Sequence, residues 1–163
     1  MQIEEILKEK KRTYHLLQSR LEKAKKDLLT SQEKIINVFH LKKIRERLTF
    51  LFTMHASQIC KECQGRCCDG CAVWPDDVLY YALIDFEFPE PDWEFICLRT
   101  LNWQSNGLFL SKQGCLLGEN KPYHCLISLC SQFSNLSTKL RHEIEDLIDE
   151  FRREESKLLN KNY

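Results

Sequence analysis

Residues 3–38 read IEEILKEKKRTYHLLQSRLEKAKKDLLTSQEKIINV, and their periodicity decides the fold class. Apolar residues recur at alternating steps of four and three. One seam is Leu7, Tyr14, Leu21, Leu28 and Ile35, and the other is Ile3, Lys10, Leu17, Ala24, Ser31 and Val38. All of the first set and four of the second are apolar. A repeat near 3.5 residues puts such positions on one stripe of an α-helix, and that stripe needs a second helix to cover it. Glu4 and Glu5 fall in the first turn, where they suit the helix dipole. Thr30 and Glu33 stand at capping-box spacing, which marks a break near residue 30. The heptad keeps its phase across that point, which favours one continuous or kinked helix. From Phe39 the apolar positions change face, at Leu41, Ile44, Leu48, Leu51, Phe52 and Met54. The helix is expected to end between His55 and Ser57.

All five glycines and all four prolines lie between Gly65 and Pro122, so irregular structure is confined to the middle of the chain. Pro75-Asp76-Asp77 reads as a helix start leading into Val78, Leu79, Tyr80, Tyr81 and Leu83. The two aspartates read as a cap rather than as an acid/base pair. Pro89-Glu90-Pro91-Asp92 is a second stop and start, before a short buried helix with Trp93, Phe95, Ile96, Leu98, Leu101 and Trp103. Leu108-Phe109-Leu110 and Cys115-Leu116-Leu117 suit a small hairpin turning at Lys112-Gln113-Gly114. A last helix follows Cys130, with Ser131, Ser134 or Asn135 as its cap. Its apolar stripe is Phe133, Leu136, Leu140, Ile144, Leu147, Phe151 and Leu158. The expected fold is mainly α, with a coiled-coil-like helical arm over 1–58 and a cysteine-rich head with little β over 59–132. A C-terminal helix over 133–163 packs antiparallel on the arm. The arm is longer than this last helix, so part of its seam is left for a protein partner or a homodimer.

The charge is balanced overall, with 24 Lys and Arg against 24 Asp and Glu, so nothing draws the whole chain to nucleic acid. The arm (1–59) holds 13 basic against 7 acidic residues, a net of +6. The middle (60–132) holds 5 against 10, a net of −5, so the two can satisfy each other within the chain. The N-terminus has no secretory pattern, and no apolar run approaches the ~20 residues needed to span a bilayer. A cytoplasmic, reducing setting without membrane association is the expectation, and there nine cysteines point to metal rather than to disulfides.

Five of those nine fall in one stretch, Cys60-Lys-Glu-Cys63-Gln-Gly-Arg-Cys67-Cys68-Asp-Gly-Cys71. Cys60 and Cys63 can grip one ion from a tight turn. Gly65 and Gly70 permit sharp bends, and the side chains of adjacent Cys67 and Cys68 diverge. A second group is Cys115, Cys125 and Cys130, beside Gly118, Pro122 and His124. Thiolates are soft ligands that suit zinc or iron, including an iron–sulfur cluster, and either takes four of them. Cys97, on an apolar helix face, reads as a small buried hydrophobe. His124 and His55 read as surface histidines, with a ligand or sulfur-contacting role as the alternative. No Ser-His-Asp order, phosphate-binding glycine loop or His-Glu-x-x-His motif is present.

The order Cys60-x-x-Cys63-x-x-x-Cys67-Cys68, Phe109-Leu110, Gly114-Cys115-Leu116, Lys121-Pro122-x-x-Cys125 and Cys130 resembles the YkgJ-type cysteine-cluster family, with its CxxCxxCC opening. The resemblance spans roughly residues 60–130 and implies a domain that chelates zinc or iron. Three departures stand out. The first loop has three residues between Cys63 and Cys67, Lys121 replaces the usual Arg, and the cysteine expected just before Phe-Leu is missing. Cys71 or Cys97 would replace that cysteine. The implied ligands are Cys60, Cys63, Cys67, Cys68, Cys115, Cys125 and Cys130, with Cys71 as the eighth candidate. The leading expectation is a non-enzymatic metal-binding protein. The alternatives are an iron–sulfur redox or protein-modifying enzyme or its subunit, and a coiled-coil adaptor whose metal head is a clip. The enzyme alternative draws on a resemblance of this cluster type to a portion of flagellin lysine-methylases.

Overall fold

A computed structural model of the chain describes residues 3–30, 32–55, 73, 75–104, 107–127 and 137–159. Among these, the protein is mainly helical, with six helices and one two-stranded antiparallel sheet. Helix α1 (Ile3–Leu28) and helix α2 (Gln32–His55) form the N-terminal part. The continuous heptad phase is interrupted here. Leu29 and Thr30 form a turn, and the Thr30 hydroxyl donates to Asp27 O at 2.8 Å. That bond ties Thr30 back onto the end of α1.

The expected seam is buried along α1 at Tyr14, Leu17, Leu21, Ala24 and Leu28. Its cover comes from an unexpected direction. α1 packs against α3 (Pro75–Leu83) and α4 (Trp93–Leu101), which belong to the middle of the chain. The C-terminal helix, α6 (Thr138–Leu159), packs on α2 instead. Arg47 pairs with Glu143, and His40 lies 3.9 Å from Glu154, so α2 and α6 run antiparallel. The break at residue 29 is what lets the two halves of the arm serve different partners.

Two apolar cores follow. In one, Val38, Leu41, Ile44, Leu48 and Leu51 of α2 meet Ile144 and Phe151 of α6, with Tyr123 and Leu126. In the other, Tyr14, Leu17 and Leu21 of α1 meet Tyr80, Tyr81, Phe88, Phe109 and Leu117. The second core is largely aromatic, with Phe88 stacked on Phe109 and Tyr81 on Phe86 at ring separations of 5.4 and 4.8 Å. α3 separates the cores, giving Leu79 and Leu83 to the first and Tyr80 and Tyr81 to the second.

The helix ends show how local chemistry sets the boundaries. Pro75 opens α3, where its missing N–H costs nothing. Asp92 caps α4, its carboxylate accepting from Phe95 N at 3.0 Å. α6 is capped by Ser137, whose hydroxyl accepts from Leu140 N at 3.3 Å, while Ser131, Ser134 and Asn135 lie outside the described residues. α3 and α4 both close through a left-handed residue, Asp85 (φ 52°) and Trp103 (φ 55°). In α4, Gln104 N bonds Arg99 O and Trp103 N bonds Thr100 O, the paired bonds of a Schellman ending. Glycine is the usual occupant there, because a Cβ is strained at positive φ. Trp103 was expected within a buried helix but lies beyond its end, 95% exposed. Trp103→Gly should therefore raise stability by about 1 kcal/mol, since it removes strain and little packing. A thermal melt showing a loss of stability instead would mean that the indole has a partner.

The sheet is a hairpin of β1 (Leu110–Ser111) and β2 (Gly114–Cys115), with Leu110 opposite Cys115 and Ser111 opposite Gly114. The turn is Lys112-Gln113, followed by Gly114 at φ 108°. Among the described residues no helix is long and apolar enough to cross a membrane.

Candidate metal centre

The hairpin delivers Cys115 to the start of a tightly wound segment. Ser111 Oγ donates to Gly114 O at 2.9 Å and accepts from Gln113 N at 3.2 Å, which locks the turn just before the cysteine. Beyond it, Gly118 N bonds Cys115 O at 3.2 Å and Asn120 N bonds Leu117 O at 2.9 Å. Gly118 sits at φ 55°, which a side chain would strain, and this bend folds the chain around the Cys115 sulfur. The backbone N–H groups of Leu117 and Gly118 lie near that sulfur. Burial pushes the Cys115 thiol up. The Lys121 ammonium and the two N–H groups pull it back, while nearby Cys125 adds a further upward push.

Cys125 is placed by a short helix, α5 (Tyr123–Ile127). Pro122 is buried just before it, and Cys125 N bonds Pro122 O at 2.9 Å. The Pro-x-x-Cys step is thus one helical turn, with the proline fixing the entry and the cysteine following a turn later. Tyr123 holds α5 down by stacking on Phe151 of α6, at 3.8 Å and 12° between rings.

A buried ion pair secures the segment between the two cysteines. Arg45 of α2 is 1% exposed and Asp77 of α3 is 0% exposed, and they meet at 2.5 Å. Each also makes a hydrogen bond to the cysteine-bearing segment. Arg45 donates to Lys121 O at 2.6 Å, and Asp77 accepts from Tyr123 N at 2.7 Å. Tyr81 Oη donates to Asn120 O at 2.6 Å. The Arg45 guanidinium also lies over the Tyr80 ring, 4.2 Å from its centroid. A buried charge is tolerable only when paired and fully hydrogen-bonded, and this pair meets that condition.

Asp77 was expected to cap its own helix. It is instead the acceptor at the start of α5, 46 residues further on. Arg45, Tyr81 and Asn120 were missed as parts of the site. The signal for Arg45 was available. It lies seven residues after Val38, a charge set between the apolar positions Leu41, Ile44 and Leu48.

Of the expected ligands, Cys115 and Cys125 are both half-buried and outside any disulfide, and the charge of Cys125 acts on Cys115. His124, also half-buried, neighbours Cys125 on α5. Cys97 is half-buried on α4, and the charges acting on Cys115 come from Lys121 and Cys125 rather than from it. Cys60, Cys63, Cys67, Cys68, Cys71 and Cys130 lie outside the described residues. Among the described residues no group of three or more His, Cys, Asp or Glu side chains is positioned to hold a metal ion. Two thiols make half of a four-thiolate set. No protein-family model matches the chain, and neither does a curated protein or a solved structure.

Proposed function

We propose that the chain is a non-enzymatic metal-binding protein. In this reading, Cys115 and Cys125 join thiolates from Cys60, Cys63, Cys67, Cys68, Cys71 and Cys130 to hold zinc or iron. The observation that carries the reading is the environment of Cys115. Its chain segment, which also carries Cys125, is held in place by Arg45, Asp77 and Tyr81, and Lys121 adds positive charge near its sulfur. The thiolate is the form that binds metal. Burial pushes the Cys115 thiol up, and a bound cation would offset that cost. The order of the cysteine motifs supports the same reading through its resemblance to the YkgJ-type family.

Partner binding or dimerisation through the arm belongs to the proposal. Ile36, Phe39, Phe50 and Met54 support it, being exposed on α2. At 100° per residue they fall within one narrow stripe, beside the His40 and Arg47 pairs to α6.

The test is elemental analysis and an absorption spectrum of protein purified anaerobically with reductant. Stoichiometric zinc or iron is expected, and Cys115→Ser should lower it. A brown protein absorbing near ~400 nm would mark an iron–sulfur cluster rather than zinc. Metal-free protein under those conditions would overturn the reading.

A further inference from the structure

The two halves of the thiol segment stand at opposite ends of an irregular stretch, and irregular backbone does not hold two sulfurs in register unaided. From Cys115 to Pro122 the chain passes through turns, with Gly118 at positive φ and no ladder after β2. Three anchor points within four residues nevertheless immobilise its far end. Asn120 O is held by Tyr81, Lys121 O by Arg45 and Tyr123 N by Asp77. The anchors come from α2 and α3, so the position of Cys125 relative to Cys115 is set by distant parts of the fold.

We propose that Arg45, Asp77 and Tyr81 are positioning residues for the metal centre, setting the distance between the Cys115 and Cys125 sulfurs. The inference rests on the metal-binding reading above. None of the three touches either sulfur; each acts on the backbone that carries it. Ligand geometry matters because a tetrahedral thiolate site tolerates little displacement, and groups that orient ligands typically account for about 10–100-fold in metal affinity.

Asp77→Asn is the informative change. Its carbonyl oxygen still accepts from Tyr123 N, but the charge opposite Arg45 is gone. Tyr81→Phe is milder, removing only the hydroxyl from Asn120 O while the ring stays in the core. Ile96→Ala, buried on α4 and part of neither core, serves as a control for destabilisation alone. The measurement is zinc affinity by chelator competition, together with the spectrum of the cobalt(II)-substituted full chain, whose thiolate-to-metal bands report how many sulfurs bind.

Asp77→Asn is expected to weaken zinc binding by about 10–100-fold and to diminish the thiolate bands. Tyr81→Phe should shift both in the same direction, and Ile96→Ala should leave the bands unchanged. If Asp77→Asn does not fold, Tyr81→Phe decides by the same readouts. Wild-type affinity and spectrum in the folded clamp variants would overturn the inference while leaving the metal centre intact. An equal loss in Ile96→Ala would also overturn it, since the effect would then follow stability. A wild-type chain that binds neither zinc nor cobalt would overturn the metal reading, and the inference with it.

Discussion

Asp77→Ala is expected to destabilise the protein by about 3–5 kcal/mol, the cost typical of removing one partner from a buried ion pair. At 2–4 °C per kcal/mol for a chain of this size, that is a fall in Tm of roughly 10 °C. Two penalties add. Arg45 stays buried at 1% exposure with no carboxylate opposite it, and Tyr123 N loses its acceptor. Neither group can turn to water without opening the contact between α2, α3 and α5. The double variant Arg45→Met, Asp77→Ala should recover part of the loss, because the unpaired charge is gone while the Tyr123 N–H and Lys121 carbonyl still lack their partners. Thermal melts of the three chains make the cycle. A single-variant loss under 1 kcal/mol would show that water reaches the pair.

Stripping the metal is expected to have the larger effect. Structural zinc contributes about 10–16 kcal/mol of apparent binding energy in small zinc-folded peptides, and that energy is coupled to folding. The proposed centre joins the 60–71 stretch to Cys115, Cys125 and Cys130. Chelation should therefore release the segment from Gly107 to Ile127 before it affects the α2–α6 pair, which has its own apolar core. Hydrogen exchange should show protection falling first across β2, the Gly118 turn and α5, with the Leu41–Leu51 face of α2 still protected. Acid should have the same effect as chelation. Burial pushes the Cys115 thiol up, so a metal that holds it as thiolate competes with a proton, and release follows as pH falls. An unchanged melt in excess chelator would argue against a structural metal.

Much of the architecture was legible one stretch at a time. The heptad marked Tyr14, Leu17, Leu21, Ala24 and Leu28 as a buried stripe, and they are buried. Pro75, Asp92 and the Lys112-Gln113-Gly114 turn marked where elements begin and reverse, because caps and turns depend on residues a few positions apart. The turn at Leu29 was harder to read. Leu29 itself is apolar and the heptad runs through it, so only the weak Thr30 and Glu33 spacing marked the place. The candidate site divided in the same way. Cys115, Cys125 and the Pro122 step were visible as a spacing, whereas their support was not: Arg45, Asp77 and Asn120 are separated by 32 and 43 residues.

Periodicity, punctuation and cysteine spacing are properties of neighbouring residues, so the chain's own order established the helices, their buried stripes and the thiol-rich middle. Which stripe covers which is a different kind of fact. An apolar seam gains nearly the same free energy against any well-shaped apolar surface, so the stripe of α1 does not specify its partner. The choice of α3 and α4 over α6 followed from the break at Leu29 and from a pair of charges. Arg45 and Asp77 can be buried only together, with every hydrogen bond made, and a single packing of α2, α3 and α5 meets that demand.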